Sequence, residues 1–409
     1  MSVLSSAKRS GVSTIVGLLA CQKDPYLQTL KTKVLSCEQV TDKSGNVNGY
    51  EVELEDTVLF PEGGGQPYDT GMINDVKVHN VQRDGLTAVH LMDSPVEPGT
   101  EVSVKVDWNR RLDHMQQHTG QHLLSAVLDK RKIETLSWNL GAKFCYIELP
   151  RKLSQDEVNE VQAEVNEYIR AALPIRLAVN EDANGVEHSI PEDYDLSKGV
   201  VRVVHIGDLD SNPCCGTHLK STADISALSL LHSMPIRGTN SRLFFIAGER
   251  VNKYASEAHD ILRRAGAGLS CQPEELEDKI NKVNQTLKEL YSREKFWSGQ
   301  VAKLEAAQLK SQLDAGSLAV LHKPEGTMDY LKNVEKELGK FSKGTLVLIS
   351  GQGKQGGAIV ASGENIDKCV EVIKEAVPNV KGGGKGKWQG KVPAWEKGSL
   401  DKLLEGLKL

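Results

Sequence analysis

The chain has no apolar run of membrane-spanning length, because no stretch approaches the roughly 18 consecutive apolar residues that a transmembrane helix needs. It also has no excess of basic charge, since the formal net charge is -5. That balance excludes a protein that binds nucleic acid over its whole surface and leaves only local basic patches for such a role. We therefore expect a globular protein without a membrane partner.

A disulfide framework is lacking as well. The seven cysteines are odd in number and scattered along the chain. Cys214 and Cys215 are adjacent and close to a histidine, an arrangement that favours metal chemistry over disulfide formation. This cysteine usage is typical of a reducing compartment, so we expect a cytoplasmic protein.

The first 23 residues contain Lys8, Arg9 and Lys23 but no acidic residue. If they act as a transit segment, the protein would be mitochondrial instead. A poorly ordered N-terminal extension is the interpretation that we favour.

Short runs in which apolar and polar residues alternate dominate residues 30–107. Val102, Val104 and Val106 alternate with polar residues, and Asn, Gly and Asp turns separate this run from similar ones upstream. Many short strands without a strong helical pattern predict a small β-barrel. Its residues 59–69 include three consecutive glycines, which suit either a tight turn or a close approach to a ligand. No Lys-Ser/Thr pair follows them, so this segment is not a P-loop, and alone it favours the turn.

A helix is predicted from about Asp107 to Lys130, and it carries His118 and His122 on one face, one turn apart. No Glu follows His118, so the segment is not the helix of a HExxH protease. His114 lies a further turn back on the same side. Three imidazoles at this spacing do not easily bind one tetrahedral ion, so we select His118 and His122 and expect His114 to support the site or to contact nucleic acid.

A second motif, Cys214 to His218, follows a strand predicted at residues 200–206. It would add a thiolate and a third imidazole to the histidine pair. Four nitrogen and sulfur ligands suit zinc better than magnesium or calcium. Between the two motifs, a strand at residues 144–149 and a helix opened by the capping box of Ser154 and Glu157 predict an α+β domain.

Three segments now carry a family resemblance: the Phe-Pro-Glu-Gly-Gly-Gly-Gln run at residues 60–66, His118-Thr-x-x-His122, and the turn from Cys214 to Gly-Thr-His218. Together they resemble the editing half of alanyl-tRNA synthetase over about residues 21–251. Since no synthetase catalytic domain is present, the chain looks most like the freestanding alanyl-tRNA editing proteins, the AlaX family, in their long form. The synthetase turn usually has glycine where this chain has Cys215, which leaves the choice of ligand between Cys214 and Cys215 open.

The resemblance implies a trans-editing hydrolase with one zinc ion per chain. It would cleave the ester of mischarged tRNA(Ala), with serine as the leading target and glycine as the second candidate. The ion could activate water or hold the substrate, and the sequence does not choose between them. A pocket that admits serine must reward its hydroxyl with a hydrogen bond in order to disfavour alanine. Thr119 is our candidate for that contact, and Gln66 and Asp210 are candidates for orienting the substrate.

Two other functions remain open from the residues themselves. One is a zinc-stabilised RNA-binding module without catalytic activity, and the other is a zinc hydrolase that acts on a small acyl ester. The first predicts that loss of His118 unfolds the domain, and the second predicts indifference to the tRNA.

The C-terminal third begins with a long helix near Pro273 that keeps a mostly four-three apolar spacing from Leu276 to Leu304. This row of apolar side chains favours either a homodimer through residues 273–313 or packing of the helix against the protein itself. Gly299 is expected to weaken the helix. From residue 316, strands and helices alternate in an α/β pattern.

Residues 381–391 of this third combine lysines, glycines and a tryptophan, a composition that suits phosphates and an unstacked base, although a solvated basic loop is the competing interpretation. The resemblance to the C-terminal domain of the synthetase, which binds tRNA and self-associates, favours RNA contact. The expected RNA-binding residues are Lys381, Lys385, Lys387, Trp388 and Lys391.

We therefore expect an α+β protein in five parts. They are an N-terminal extension (1–23), a small β-barrel with the glycine-rich loop (24–108), an α+β zinc-dependent editing domain (109–255), a helical or coiled-coil linker (256–315) and a C-terminal α/β domain for tRNA binding or self-association (316–409).

Overall fold

The structure is a computed structural model of the chain. It describes residues 11–179, 200 and 202–407. The chain forms two compact units, Met1–Leu262 and Arg263–Leu409, and the finer five-part division stays a prediction. None of the helices in the described ranges is long and apolar enough to cross a membrane.

Six strands of the first unit close into a barrel in the order β1-β2-β5-β4-β3-β6. Side chains that alternate between buried and exposed, as Val102, Val104 and Val106 do in β6, place every second residue in the barrel core. The expected small barrel is thus confirmed. Its strands are β1 Thr29–Thr41, β2 Val47–Leu54, β3 Gly71–Ile73, β4 Val76–Asp84, β5 Thr87–Met92 and β6 Glu101–Val106.

The segment before the barrel corrects one expectation. Val16, Leu19 and Cys21 are buried in the barrel core, and the amide of Thr14 donates to the carbonyl of Glu55 at 2.7 Å. The short helix α1 Ala20–Lys23 follows. The prediction of a poorly ordered extension is therefore wrong for residues 11–23, whose apolar side chains pack in the barrel core. Residues 1–10, with Lys8 and Arg9, lie outside the described residues.

A long helix, α2 Trp108–Lys130, leaves the barrel and is buried along most of its length. The side chain of Asp107 caps it by accepting from the amide of Arg110. The helix packs on a four-stranded antiparallel sheet of order β12-β13-β8-β7. The strands of that sheet are β7 Ser137–Leu140, β8 Cys145–Leu149, β12 Leu228–Pro235 and β13 Ser241–Ala247.

The rest of the first unit supports the second histidine motif. Helix α3 Gln155–Arg170 opens with the expected capping box of Ser154 and Glu157, and its Val158, Val161 and Val165 join the same core as α2. A three-stranded antiparallel sheet, β11-β10-β9, lies beside it. Its strands are β9 Ile175–Val179, β10 Arg202–Ile206 and β11 Asp210–Pro213, and β11 runs directly into Cys214.

Two long helices lead into the second unit. They are α4 Glu249–Leu269, which begins in the first unit, and α5 Leu276–Asp314. Gly299 does not break the helix, because α5 is continuous through that position. A single glycine costs a helix only about 1 kcal/mol, which a helix of this length tolerates.

The second unit contains a five-stranded sheet of order β14-β15-β16-β18-β17, covered by α6, α7 and α8. Only β14 and β15 are parallel, and the other pairs are antiparallel. The strands and helices predicted over residues 318–376 are present, and a tight connection joins β15 directly to β16 in an antiparallel pair. The elements are β14 Leu318–Lys323, α6 Met328–Leu338, β15 Thr345–Gly351, β16 Gly357–Gly363, α7 Ile366–Ala376, β17 Lys381–Gly383, β18 Lys387–Val392 and α8 Ser399–Gly406.

The lysine-rich segment is a hairpin of β17 and β18 and not a flexible loop. Trp388 is only 4% exposed and packs in the core of this unit. A Cβ at Gly382 or Gly390 would lie 2.6 or 2.3 Å from the indole ring, so these glycines make room for it. The expectation of an exposed Trp388 that stacks on a base is therefore wrong.

Candidate metal centre

Four side chains meet where α2 faces the turn after β11. The ligand atoms of His118, His122, Cys214 and His218 all lie within 4.8 Å of one another. Sγ of Cys214 lies 3.4 Å from Nε2 of His118 and 3.2 Å from Nε2 of His218. Zinc bonds of about 2.0 Å to nitrogen and 2.3 Å to sulfur give a tetrahedral edge of about 3.5 Å, so both spacings fit that ion.

The protonation states of the histidines suit ligation. Burial, followed by the neighbouring imidazoles, holds the pKa of His118 and of His218 well below the usual value, and burial lowers the pKa of His122 to about 4. The imidazoles are therefore neutral, which is the form that binds metal. This donor set, with no carboxylate in it, fits zinc.

Gln66 of the glycine-rich loop fixes the orientation of His118. Its Oε1 accepts from the amide of Thr217 at 2.9 Å and lies 2.9 Å from Nδ1 of His118, and its Nε2 donates to Oγ1 of Thr217 at 2.8 Å. An amide oxygen only accepts, so Nδ1 carries the proton and Nε2 is left for the metal. The barrel thus contributes directly to the centre.

Thr119 lies behind His218. Its hydroxyl accepts from the amide of Leu219 at 3.2 Å and lies 3.3 Å from Nδ1 of His218, whose other nitrogen faces Cys214. The residue is fully buried. These contacts give Thr119 a role in positioning His218, while its predicted contact with a serine hydroxyl stays a prediction.

Cys214 and Cys215 have different surroundings. The amide of Gly216 donates to Sγ of Cys214 at 3.4 Å, whereas the thiol of Cys215 is outside the four-residue cluster. Burial raises the pKa of the Cys214 thiol to about 12, so metal binding has to displace its proton. A Cβ at Gly216 would lie 2.3 Å from the ring of His118, so only glycine fits between Cys215 and Thr217.

Arg202 is a site residue that the motifs alone did not identify. It is 2% exposed, and its guanidinium donates to the carbonyls of Cys215 and Gly216 at 2.7 and 3.0 Å and to that of Gln22 at 2.7 Å. A buried cation beside Cys214 favours the thiolate. The signal in the sequence is an arginine within an apolar strand.

The cysteine turn is also held from the N-terminal segment. Gln22 is 1% exposed, and its Nε2 donates to the carbonyl of Cys215 at 2.7 Å. The segment that was expected to be disordered therefore contributes to the frame of the metal centre.

The remaining predicted residues lie elsewhere. Asp210 begins β11, where both carboxylate oxygens accept from Nδ2 of Asn212 at 2.8 Å and burial raises the carboxyl pKa. His114 is 6% exposed, and its Nδ1 has no partner among the described residues. Neither belongs to the cluster of four.

The barrel and α2 are joined by a buried ion pair. Arg111 and Asp69 are both fully buried, and Nε of Arg111 donates to Oδ2 of Asp69 at 2.9 Å. The guanidinium also donates to the carbonyl of Pro25 at 2.9 Å. The pair anchors the first turn of α2 to the glycine-rich loop, and so sets His118 against Gln66.

Two family models match the first unit. Residues 201–253 match the second additional domain of threonyl and alanyl tRNA synthetases, and residues 20–110 match the class II (A) tRNA synthetases. Two of the four clustered side chains, Cys214 and His218, lie within the first of these matches, and the two matches together define the class as one related to the aminoacyl-tRNA synthetases.

Whole-chain relatives narrow this class. The alaX protein of Saccharomyces cerevisiae is 40% identical, over 92% of this chain and 93% of its own. Alanyl-tRNA editing protein Aarsd1-B of Xenopus laevis is 36% identical, over 91% and 93%. Alanine--tRNA ligase of Pyrococcus abyssi is 28% identical, over 89% of this chain but 40% of its own. The chain belongs to the alanyl-tRNA editing protein family, as its motifs predicted.

Proposed function

We propose that this protein is a trans-editing hydrolase that deacylates tRNA(Ala) mischarged with serine and, more slowly, with glycine. The observation that carries the proposal is the buried cluster of His118, His122, Cys214 and His218 in a chain of the alanyl-tRNA editing family. We place this activity in the cytoplasm, because Cys214 has to stay reduced in order to bind a metal.

A zinc ion held by these four residues would supply a Lewis acid for the ester carbonyl or a bound water of lowered pKa. The residues around these four fix the positions of the ligand side chains. Gln66 keeps the proton of His118 on Nδ1, Thr119 supports His218, and the amide of Gly216 points at Cys214. Such supporting contacts commonly change metal affinity 10- to 100-fold.

Selectivity against alanine requires a polar contact that only serine satisfies. Gln66 suits this role, because its Nε2 carries two hydrogens and the described contacts use one of them, on Thr217. We propose that the second hydrogen orients the serine hydroxyl. Thr119 and Asp210 are further candidates, Thr119 through its hydroxyl beside His218 and Asp210 through its carboxylate on β11.

Lysines of the hairpin are proposed to bind the tRNA backbone. Lys381 and Lys391 are directly opposite each other in β17 and β18, and like charges at such positions repel unless an anion lies between them. Lys385 is exposed at the turn, whereas Nζ of Lys387 pairs with Glu335. Lys381, Lys385 and Lys391 are therefore the stronger phosphate ligands.

Self-association is proposed through α5. Several large apolar side chains of this helix are at least 38% exposed, which is unusual for a solvated helix. They form the row that the four-three spacing marked in the sequence, namely Ile280, Val283, Leu287, Leu290, Trp297, Val301 and Leu304. Sedimentation of the wild-type chain and of Leu287→Asp tests this proposal, which requires a dimer that the variant loses.

The deciding experiment measures deacylation of Ser-tRNA(Ala), Gly-tRNA(Ala) and Ala-tRNA(Ala) by the purified chain, with and without a chelator. We expect serine to be released fastest, alanine to be spared, and all activity to be lost on chelation. Circular dichroism of His118→Ala separates the enzyme from a zinc-stabilised RNA-binding module, because only the module has to unfold. Equal rates on all three substrates would contradict the proposal.

A further inference from the structure

Trp138 is an exposed aromatic residue beside the metal centre. It lies on β7, the edge strand of the four-stranded sheet, and is 42% exposed. Its cross-strand partner is Ile147, which is buried in the core beneath α2. Because cross-strand partners share one face of a sheet, the indole lies on the face that α2 covers, at its open edge.

The indole ring packs against the glycine-rich loop. A Cβ at Gly65 would lie only 2.5 Å from Nε1 of Trp138, so the ring rests on bare backbone. Gly65 is in the left-handed region, with φ of 76°, and the next residue, Gln66, hydrogen-bonds His118. These contacts leave on the order of 10 Å between the ring and the metal ligands.

The other side of the loop faces the cysteine turn. A Cβ at Gly64 would lie 3.9 Å from Cβ of Cys215. The surface from Trp138 to Cys215 thus runs over two glycines without side chains, and a flat ligand can lie on it. A half-exposed aromatic ring at one end of such a surface is the kind of platform on which nucleic-acid bases stack.

We propose that Trp138 is the stacking platform for the terminal adenine base of the aminoacyl-tRNA substrate. The inference rests on the proposed function. In that substrate the scissile ester is carried by the ribose of the last nucleotide, so its base lies within one nucleoside of the reacting carbonyl. With the ester at the metal centre, the base reaches the glycine surface and the indole beside it.

The test compares two non-hydrolysable probes with the full-length, zinc-loaded chain. One is 3′-deoxy-3′-(L-seryl)aminoadenosine, and the other is the same seryl amide on a ribose without a base. We expect the wild type to bind the adenosine probe about 5- to 150-fold more tightly, the range that one base–aromatic stack gives. In Trp138→Ala the ratio of the two affinities is expected to fall to about 1, while the abasic probe binds as in the wild type.

Two further variants separate stacking from a structural role. Trp138→Phe keeps an aromatic plane and is expected to retain most of the preference. Tyr254→Ala removes an aromatic side chain that is 40% exposed on α4 and is expected to leave it unchanged. Equal weakening of both probes in Trp138→Ala, or a wild type without base preference, overturns the inference. A wild type that does not deacylate Ser-tRNA(Ala) or Gly-tRNA(Ala) contradicts the proposed function instead.

Discussion

Oε1 of Gln66 lies 2.9 Å from Nδ1 of His118, although 52 residues separate them in the chain. The same oxygen accepts from the amide of Thr217. One side chain of the glycine-rich loop therefore bridges both halves of the candidate metal cluster. The candidate metal centre is therefore built from residues of the barrel region as well as from the domain that follows it.

Gln66→Ala is predicted to lower zinc affinity about 10- to 100-fold, because His118 loses the acceptor that fixes its tautomer. Competition with a chromogenic chelator measures the affinity. Gln82→Ala, at an exposed position of β4, is the matched control and should bind zinc like the wild type. Unchanged affinity in Gln66→Ala would mean that Gln66 does not position His118.

Replacement of the two adjacent cysteines is predicted to have opposite results. Cys214→Ser should abolish tight metal binding, because Sγ of Cys214 faces His118 and His218. Cys215→Ser should retain it, because this turn is held through the Cys215 carbonyl. Cobalt substitution checks both, since a sulfur-to-cobalt charge-transfer band requires the ligating thiolate. A band that survives in Cys214→Ser and vanishes in Cys215→Ser would reverse the assignment.

The barrel is predicted to lose stability below pH 6.5 through His90. This residue is fully buried, its Nδ1 donates to the carbonyl of Val52 and its Nε2 lies 2.9 Å from Oγ1 of Thr57. Burial lowers its pKa to about 4. As pH falls from 6.5 towards 4, His90 binds a proton in the unfolded chain but stays neutral in the folded chain. The free energy of unfolding should therefore drop by about 2 kcal/mol between pH 8 and pH 5 from this residue alone.

Denaturant unfolding of the wild type and of His90→Gln at both pH values isolates this contribution. The variant has no titrating group at the position, so its stability should change less with pH by about the same 2 kcal/mol. The other buried histidines titrate equally in both proteins and cancel in the difference. Identical pH dependence in the two proteins would exclude His90 as the source.

Removal of the hairpin charges is predicted to weaken tRNA binding. The triple variant of Lys381, Lys385 and Lys391 to Ala should reduce the slope of log K against log salt by about 2, because each phosphate contact contributes roughly 0.7–0.9. A matched triple variant at exposed lysines of the same unit should leave the slope unchanged. Those control positions are Lys332, Lys368 and Lys374. Equal slopes for both triple variants would contradict a specific role for the hairpin.

The sequence predicted the features that depend on local spacing. His118 and His122 share a helix face, and Cys214 and His218 share one turn, so each half of the cluster was visible without tertiary structure. The barrel strands were visible through alternation that reflects a core on one side. The family resemblance then joined the two halves.

What could not be predicted depends on contacts between distant segments. Arg202 and Gln22 donate hydrogen bonds to a carbonyl of the cysteine turn. Contacts to backbone carbonyls cannot be predicted from residue types, because every residue has a carbonyl. Trp388 was expected to be exposed because its neighbours are lysines and glycines. Those glycines instead leave the space in which its ring packs in the core. Strand direction after β15 was equally hidden, since buried apolar strands have the same pattern in parallel and antiparallel pairs.

The placement of the ligands on two distant segments has a consequence for biosynthesis. Cys214 follows His118 by 96 residues, and ribosomes add about 5–20 residues per second, so roughly 5–20 s pass between the two ligands. During that interval the nascent chain offers only two of the four clustered side chains, which is too few to bind an ion tightly. If the cluster binds zinc as proposed, the ion is acquired only after Cys214 has been synthesised, and a limited zinc supply would leave full-length apoprotein and not truncated products.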